Sequence, residues 1–238
     1  MRVPLLVQER KCQDCTLRGH FVFSILSDDQ ISDLNDHKAC TVYRKGQYLF
    51  TENSRPTGLF CVYSGKIKLT TIGLDGKEQI IRLAKDRDII GYRALLTDER
   101  YRLSAIALED CAVCVIDKDF FLELSAREPK LNQRIFKLIS NDLKKAEEHI
   151  VSLSQKNVRE RMAEALLFLK ATYGFEGDGI TINVRLSREE LADYIGTATE
   201  SVIRLLSEFN AAGIIELEGK KIRIRDNDRL IRTANIPL

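Results

Sequence analysis

The sequence predicts an α+β protein in three parts: a β-sandwich or barrel, one long helix, and a winged helix-turn-helix. Three observations carry this. Short apolar or alternating runs fill residues 39–116, a heptad seam follows Pro129, and two capped helices around a glycine turn precede a glycine-centred β-hairpin. The chain has 238 residues, 44% hydrophobic and 30% charged, enough for one large or two modest domains with a real core. The parts are expected at residues 1–128, 129–155 and 156–238.

At the N-terminus only Val3 to Val7 is apolar before Gln8-Glu9-Arg10-Lys11, which makes no signal peptide. No run approaches the roughly 20 residues of a membrane span, so the chain is read as cytoplasmic with no membrane partner. Six cysteines are too few and too unevenly spaced for a disulfide scaffold. Reduced thiols are therefore expected, with Cys40, Cys61 and Cys111 serving as small core residues.

Ser27-Asp28-Asp29-Gln30 predicts a helix start, with Ile31 and Leu34 on its buried stripe. The strand-like runs are Tyr48–Thr51, Leu59–Tyr63, Ile67–Thr71, Gln79–Leu83, Leu103–Ala107 and Ala112–Ile116, separated by turns at Gly46, Gly58, Gly65, Asp75-Gly76 and Asp86 to Asp88. From Phe136 the apolar positions Phe136, Ile139, Leu143, Ala146, Ile150 and Leu153 recur every three or four residues, a seam suited to a partner helix. Leu131, Ile135 and Leu138 lie on another face, which can rest on the β domain. Asn157 caps the next helix, which contains Leu166, Leu167 and Leu169, and Ile180 to Leu186 reads as a strand.

Ser187 and Glu190 form a capping box for a helix ending near Ile195, and Gly196 supplies the turn. Thr197 to Glu200 offers a second N-cap before Val202, Leu205, Leu206 and Phe209 recur at helical spacing. An ordinary αα-hairpin shares this pattern. The hairpin from Ile214 to Arg225 that follows it favours DNA binding, because Lys220, Lys221, Arg223 and Arg225 lie where a wing meets phosphates. The second helix of such a motif enters the major groove, placing Thr199, Glu200, Ser201 and Arg204 on the reading face. Arg pairs bidentately with guanine and Glu accepts from the cytosine amino group. Ser187, Arg188 and Thr197 complete the expected interface with double-stranded DNA. Net charge is uninformative, since residues 156–238 balance 13 Lys and Arg against 13 Asp and Glu.

Leu186-Ser187-Arg188-Glu189-Glu190-Leu191-Ala192, then Gly196, Glu200, Val202, Arg204 and Gly213-Ile214-Ile215, resembles the winged helix-turn-helix of the CRP/FNR superfamily of bacterial regulators. The Ser64-Gly65-Lys66-Ile67-Lys68-Leu69 segment is similar to the β-roll of cyclic-nucleotide-binding domains. The resemblance implies a β-roll sensor domain, a long dimerisation helix, a homodimer on a palindromic site and contact with RNA polymerase.

In the cyclic-AMP receptors of this superfamily a Glu follows the glycine at the ribose and an Arg-Ser pair holds the phosphate. The corresponding pocket here is Gly91, Tyr92, Arg93, Arg102 and Ser104, with Tyr92 in place of the carboxylate and Leu103 in place of the arginine. A buried cyclic phosphate needs charge-assisted donors, so cyclic AMP is not the expected ligand. In the iron–sulfur branch an N-terminal cysteine cluster and one distant cysteine hold a cluster. Cys12, Cys15 and Cys114 match that pattern, Phe21 stands at the third N-terminal position, and adjacent His20 is a substitute ligand. The effector is thus left open between redox and small-molecule signals. No phosphate-binding loop or zinc-protease motif is present, and His20, His37 and His149 are too scattered for a catalytic dyad, so no enzyme is expected. The alternative is a nucleotide-binding module acting outside transcription.

Overall fold

A computed structural model describes Cys12, Cys15 and residues 22–236 of the chain. The apolar runs become two four-stranded sheets. Their strands are β1 (Lys38–Tyr43), β2 (Tyr48–Phe50), β3 (Gly58–Ser64), β4 (Ile67–Ile72), β5 (Glu78–Ala84), β6 (Ile89–Ile90), β7 (Ser104–Ala107) and β8 (Cys111–Asp117). One sheet runs β1-β8-β3-β6 and the other β2-β7-β4-β5.

β3 and β8 read as continuous apolar runs because both of their faces are covered. Phe60, Val62 and Val113 point into a core between the sheets with Leu49, Ile67 and Ala105. Leu59, Cys61 and Ile116 point the other way, into a second core shared with helices. Gly65 turns β3 into β4 at φ 106°, and a Cβ there would come within 2.8 Å of the Cys111 Cα, so only glycine fits.

The second core is roofed by helices α1 (Asp28–Asp36), α3 (Lys118–Arg127) and the start of α4 (Pro129–Gln155), while α2 (Tyr92–Thr97) lies between β6 and β7 in sequence. Ser27 caps α1 and Gln30 completes its capping box, with Ile31 and Leu34 buried. Leu131 and Ile135 of α4 bury fully in that core, whereas Phe136, Leu143 and Ile150 of the seam are 68%, 59% and 64% exposed. α4 therefore buries one face and leaves the other apolar stripe open. Ile139 is the half-buried member of the stripe and packs on the roll core.

After α4, Asn157 and Glu160 form the capping box of α5 (Val158–Tyr173), and α6 (Arg188–Ile195), α7 (Thr199–Ala211), β9 (Ile215–Glu218), β10 (Lys221–Ile224) and α8 (Asn227–Thr233) follow. The expected strand from Ile180 to Leu186 is not formed. Only two isolated bridges, Phe175 to Ile182 and Thr181 to Arg223, occur there, because Asp178 turns the chain by accepting from the amides of Ile180 and Thr181. Those bonds hold the Asp178 carboxyl down at about 2, the Thr181 hydroxyl contributing most. The chain divides into two compact units, residues 1–71 with 81–142 and residues 72–80 with 143–238. Among the described residues no helix is long and apolar enough to cross a membrane.

Candidate nucleic-acid interface

The helix-turn-helix is set by local chemistry. The Ser187 hydroxyl accepts from the Glu190 amide and Glu190 returns to the Ser187 amide at 2.7 Å, which fixes the start of α6. Gly196 ends α6 in the left-handed region at φ 66°, with the Leu153 side chain 3.2 Å from where a Cβ would stand. Arg161 of α5 then clasps the turn from behind, donating to the carbonyls of Ile195 and Gly196 at 3.0 and 3.3 Å. Nothing in the local sequence pattern marks Arg161 for this role, since its partners lie 34 and 35 residues away.

α7 begins at Ala198, which offers no side-chain cap. The cap expected from the Thr197 to Glu200 segment is thus absent, and the first-turn amides are left to other acceptors. Val202, Leu205, Leu206 and Phe209 bury, and the opposite face exposes Glu200, Ile203, Arg204 and Ser207, with Thr199 and Ser201 half-exposed beside them. Ile203, 49% exposed, was not anticipated; an apolar side chain on this face suits a thymine methyl. Arg204 pairs with Glu208 at 2.9 Å, one turn further on, and Glu208 is also held by Arg159 at 2.5 Å.

The wing is less open than its sequence implies. Arg223 binds Glu216 at 2.7 Å and Glu218 at 2.6 Å, Arg225 also binds Glu216, and Lys221 lies 3.5 Å from Glu176. Lys220, at the exposed tip, has no ion pair among the described residues. Arg188 turns inward. Its Nη2 donates to the Gly219 carbonyl at 3.0 Å, its Nη1 is buried without a partner among the described residues, and burial lowers its pKa. It anchors the wing to α6 rather than reaching outward.

In the roll, Gly91 at φ 84° starts α2 and turns Tyr92 inward. The Tyr92 hydroxyl donates to Asp142 of α4 at 2.5 Å, and Arg82 of β5 binds the same carboxylate at 2.7 Å and lies 5.9 Å from the Tyr92 ring centre. Burial drives the Tyr92 hydroxyl well above its ordinary range. Beside Gly91, Tyr101 stacks on Phe50 with ring centres 4.0 Å apart, and burial pushes its hydroxyl up to about 12. Arg93 and Arg102 of the expected pocket are both exposed, and Ser104 accepts from the Glu52 amide. Arg82 and Asp142 escaped sequence reasoning because they meet only across 60 residues of chain, and Tyr101 because it meets Phe50 across 51.

The cysteines depart furthest from expectation. Cys40 and Cys114 form a disulfide, so not every thiol is reduced and Cys40 is more than core filler. Cys114, expected as the distant metal ligand, has no thiolate to offer while bonded. His20 lies outside the described residues, and among those described no group of three or more His, Cys, Asp or Glu side chains is arranged to hold a metal ion. The described residues, with Cys114 in a disulfide, do not fit an iron–sulfur cluster. Cys61 is buried, which raises its pKa strongly, and Cys12 packs against the core that contains it.

A double-layered roll followed by a long helix and a winged helix-turn-helix defines a DNA-binding regulator with a cyclic nucleotide-binding-type domain. The matches agree: residues 40–128 fit the cyclic nucleotide-binding domain and residues 160–233 the Crp-like helix-turn-helix domain. The chain is 32% identical over 229 residues to the fumarate and nitrate reduction regulatory protein of Vibrio cholerae, covering 94% of this chain and 90% of that one. It is 34% identical over 223 residues to electron transport regulator A of Shewanella oneidensis, covering 92% and 88%. The fold is similar to FixK2 of Bradyrhizobium japonicum, with TM-score 0.75 and 24% identity over 84% of this chain and 99% of that one. The chain belongs to the CRP/FNR superfamily of DNA-binding transcription regulators.

Proposed function

We propose that the protein acts as a homodimer on a two-fold DNA site and does not respond to cyclic AMP. The observation that carries this is the α4 stripe, where Phe136, Leu143 and Ile150 stay exposed while the opposite face buries. Exposed contiguous apolar surface of this kind marks an interface, and a second copy presents the same stripe about a two-fold axis. In this reading residues 1–128 sense, 129–155 dimerise and 156–238 bind DNA. Glu200, Ile203 and Arg204 face bases, Lys220 meets phosphate, RNA polymerase is the downstream partner, and the work is done in the cytoplasm. The name of one relative, the transcriptional activator protein FnrA of Stutzerimonas stutzeri, supports activation as the direction.

Leu143→Glu places two like charges in the apolar seam and should give monomers with DNA affinity reduced about 100-fold or more, because one half-site then binds alone. Ultracentrifugation and gel shift read this, and an intact dimer would end the seam assignment. For the sensor, Tyr92 stands in place of the ribose-binding carboxylate and donates to Asp142, and Arg93 and Arg102 are exposed, which supports this reading. Calorimetry with micromolar cyclic AMP should give no heat of binding, and saturable binding would refute the pocket assignment.

A further inference from the structure

Three cysteines stand abreast on neighbouring strands. Cys114 of β8 is the direct cross-strand partner of Cys40 on β1 and of Cys61 on β3, and opposed residues of antiparallel strands project to one side. Of these two neighbours Cys114 is bonded to Cys40, while Cys61 stays outside the disulfide and 6% exposed. A protein that acts on DNA works among small thiols that keep cysteines reduced, where disulfides are as a rule catalytic or redox-sensing. We propose that Cys40 and Cys114 form a reversible two-electron redox site that sets DNA affinity. Only the coupling to DNA rests on the function proposed above.

The chemistry balances within a thiol buffer. In the reduced protein the Cys114 thiolate attacks one sulfur of a small disulfide, forming a mixed disulfide and releasing one small thiolate. Cys40 then attacks the Cys114 Sγ, closing the protein disulfide and releasing the second small thiolate. Two cysteine thiols are oxidised, one small disulfide is reduced, and the two cysteine protons pass to the departing thiolates. The order follows access, since Cys114 is half-buried and Cys40 is 7% exposed. A small thiol runs the steps backward.

The site is placed to be felt elsewhere. The bond ties β1, at the edge of its sheet, to β8. Two residues after Cys114, Ile116 enters the core containing Phe121 and Leu124 of α3 and Leu131 and Ile135 of α4. Asp117, the next residue, caps α3. The crosslink thus fixes a strand that lines the core in which the start of α4 is buried.

The test uses the full chain equilibrated in oxidised or reduced glutathione, alkylated, and mapped by peptide mass without reduction. DNA affinity of both forms is measured on a fragment recovered by selection from a random pool. A Cys40–Cys114 peptide pair should appear only in the oxidised sample, and the two forms should differ about 5- to 150-fold in affinity. Cys40→Ser and Cys114→Ser should each erase that difference, with Cys40→Ala repeating the test should a hydroxyl disturb the core. The proposal is overturned by Cys114 bonded to Cys61, by Cys114 still alkylated after oxidation, or by stoichiometric iron ligated by Cys114 in protein purified without oxygen. Equal affinities of the two mapped forms overturn the coupling while leaving DNA binding intact. If neither form binds any sequence, the DNA reading fails and the coupling with it, and the peptide map alone then decides the redox couple.

Discussion

The recognition helix and the wing both lie in the segment expected to meet DNA, yet they present their charges differently. α7 exposes Glu200, Ile203, Arg204 and Ser207 on one face, and one of these, Arg204, holds an ion pair, to its own helix. The wing carries four cations and ties three of them to Glu176, Glu216 and Glu218. The difference teaches that counting cations in a sequence overstates what a phosphate backbone would meet. A pre-paired arginine must leave its carboxylate before it contacts DNA, and exposed pairs of this kind contribute little to stability.

The largest effect should come from Arg204→Ala. Losing a guanine contact should cost about 1–3 kcal/mol on the cognate site and flatten preference at one base pair. Selection from a random pool reads this directly, and an unchanged motif would move the reading role off α7. Glu216→Gln sharpens the same contrast from the wing. It frees Arg225 while Arg223 keeps its pair with Glu218, so binding to all sequences should tighten and the slope of log affinity against log salt should steepen by about one. Lys220→Ala should lower that slope by about one and Lys221→Ala by less; equal losses would show that ion pairing in the wing does not matter.

How much of this was legible in the sequence depended on distance along the chain. The capping boxes at Ser27, Asn157 and Ser187 each close within three residues, and all three helices start where the pattern put them. β3 and β8 were legible because their apolar runs are continuous, and β4 because Ile67 and Leu69 alternate with polar neighbours. β6 is two residues long, and α3 and α8 are announced only by their caps Asp117 and Asp226, whose role shows once each is seen to accept from backbone amides. The site residues that were missed act across long separations. Cys40 meets Cys114 across 74 residues, and Arg161 reaches the α6 carbonyls from a helix whose own pattern announces only a core.

The smallest effect concerns the scaffold behind α6. His149 of α4 stacks on Tyr194 of α6 with ring centres 5.6 Å apart, and Tyr194 stacks on Phe168 of α5. The His149 Nε2 is buried without a hydrogen-bond partner among the described residues, and burial lowers its pKa below the ordinary 6.5. A base whose pKa is lowered by folding binds fewer protons folded than unfolded. Stability is therefore undiminished above about 6.5, falls as pH drops below that value, and levels off once the folded pKa is passed. Urea titrations between pH 7.5 and pH 5 should show this loss, and His149→Gln should remove it. A slope that survives the substitution would assign it to another group.

Ala198 carries a consequence for how this protein can change over generations. At the position where Ser, Thr, Asp or Asn would stabilise a helix by about 0.5–2 kcal/mol, the chain keeps a methyl group. A single substitution there would make the molecule sturdier while claiming the amides that a nucleic acid could otherwise engage. Robustness and recognition compete for the same few atoms, and a lineage selected only for heat tolerance would be drawn toward trading away its grip on DNA.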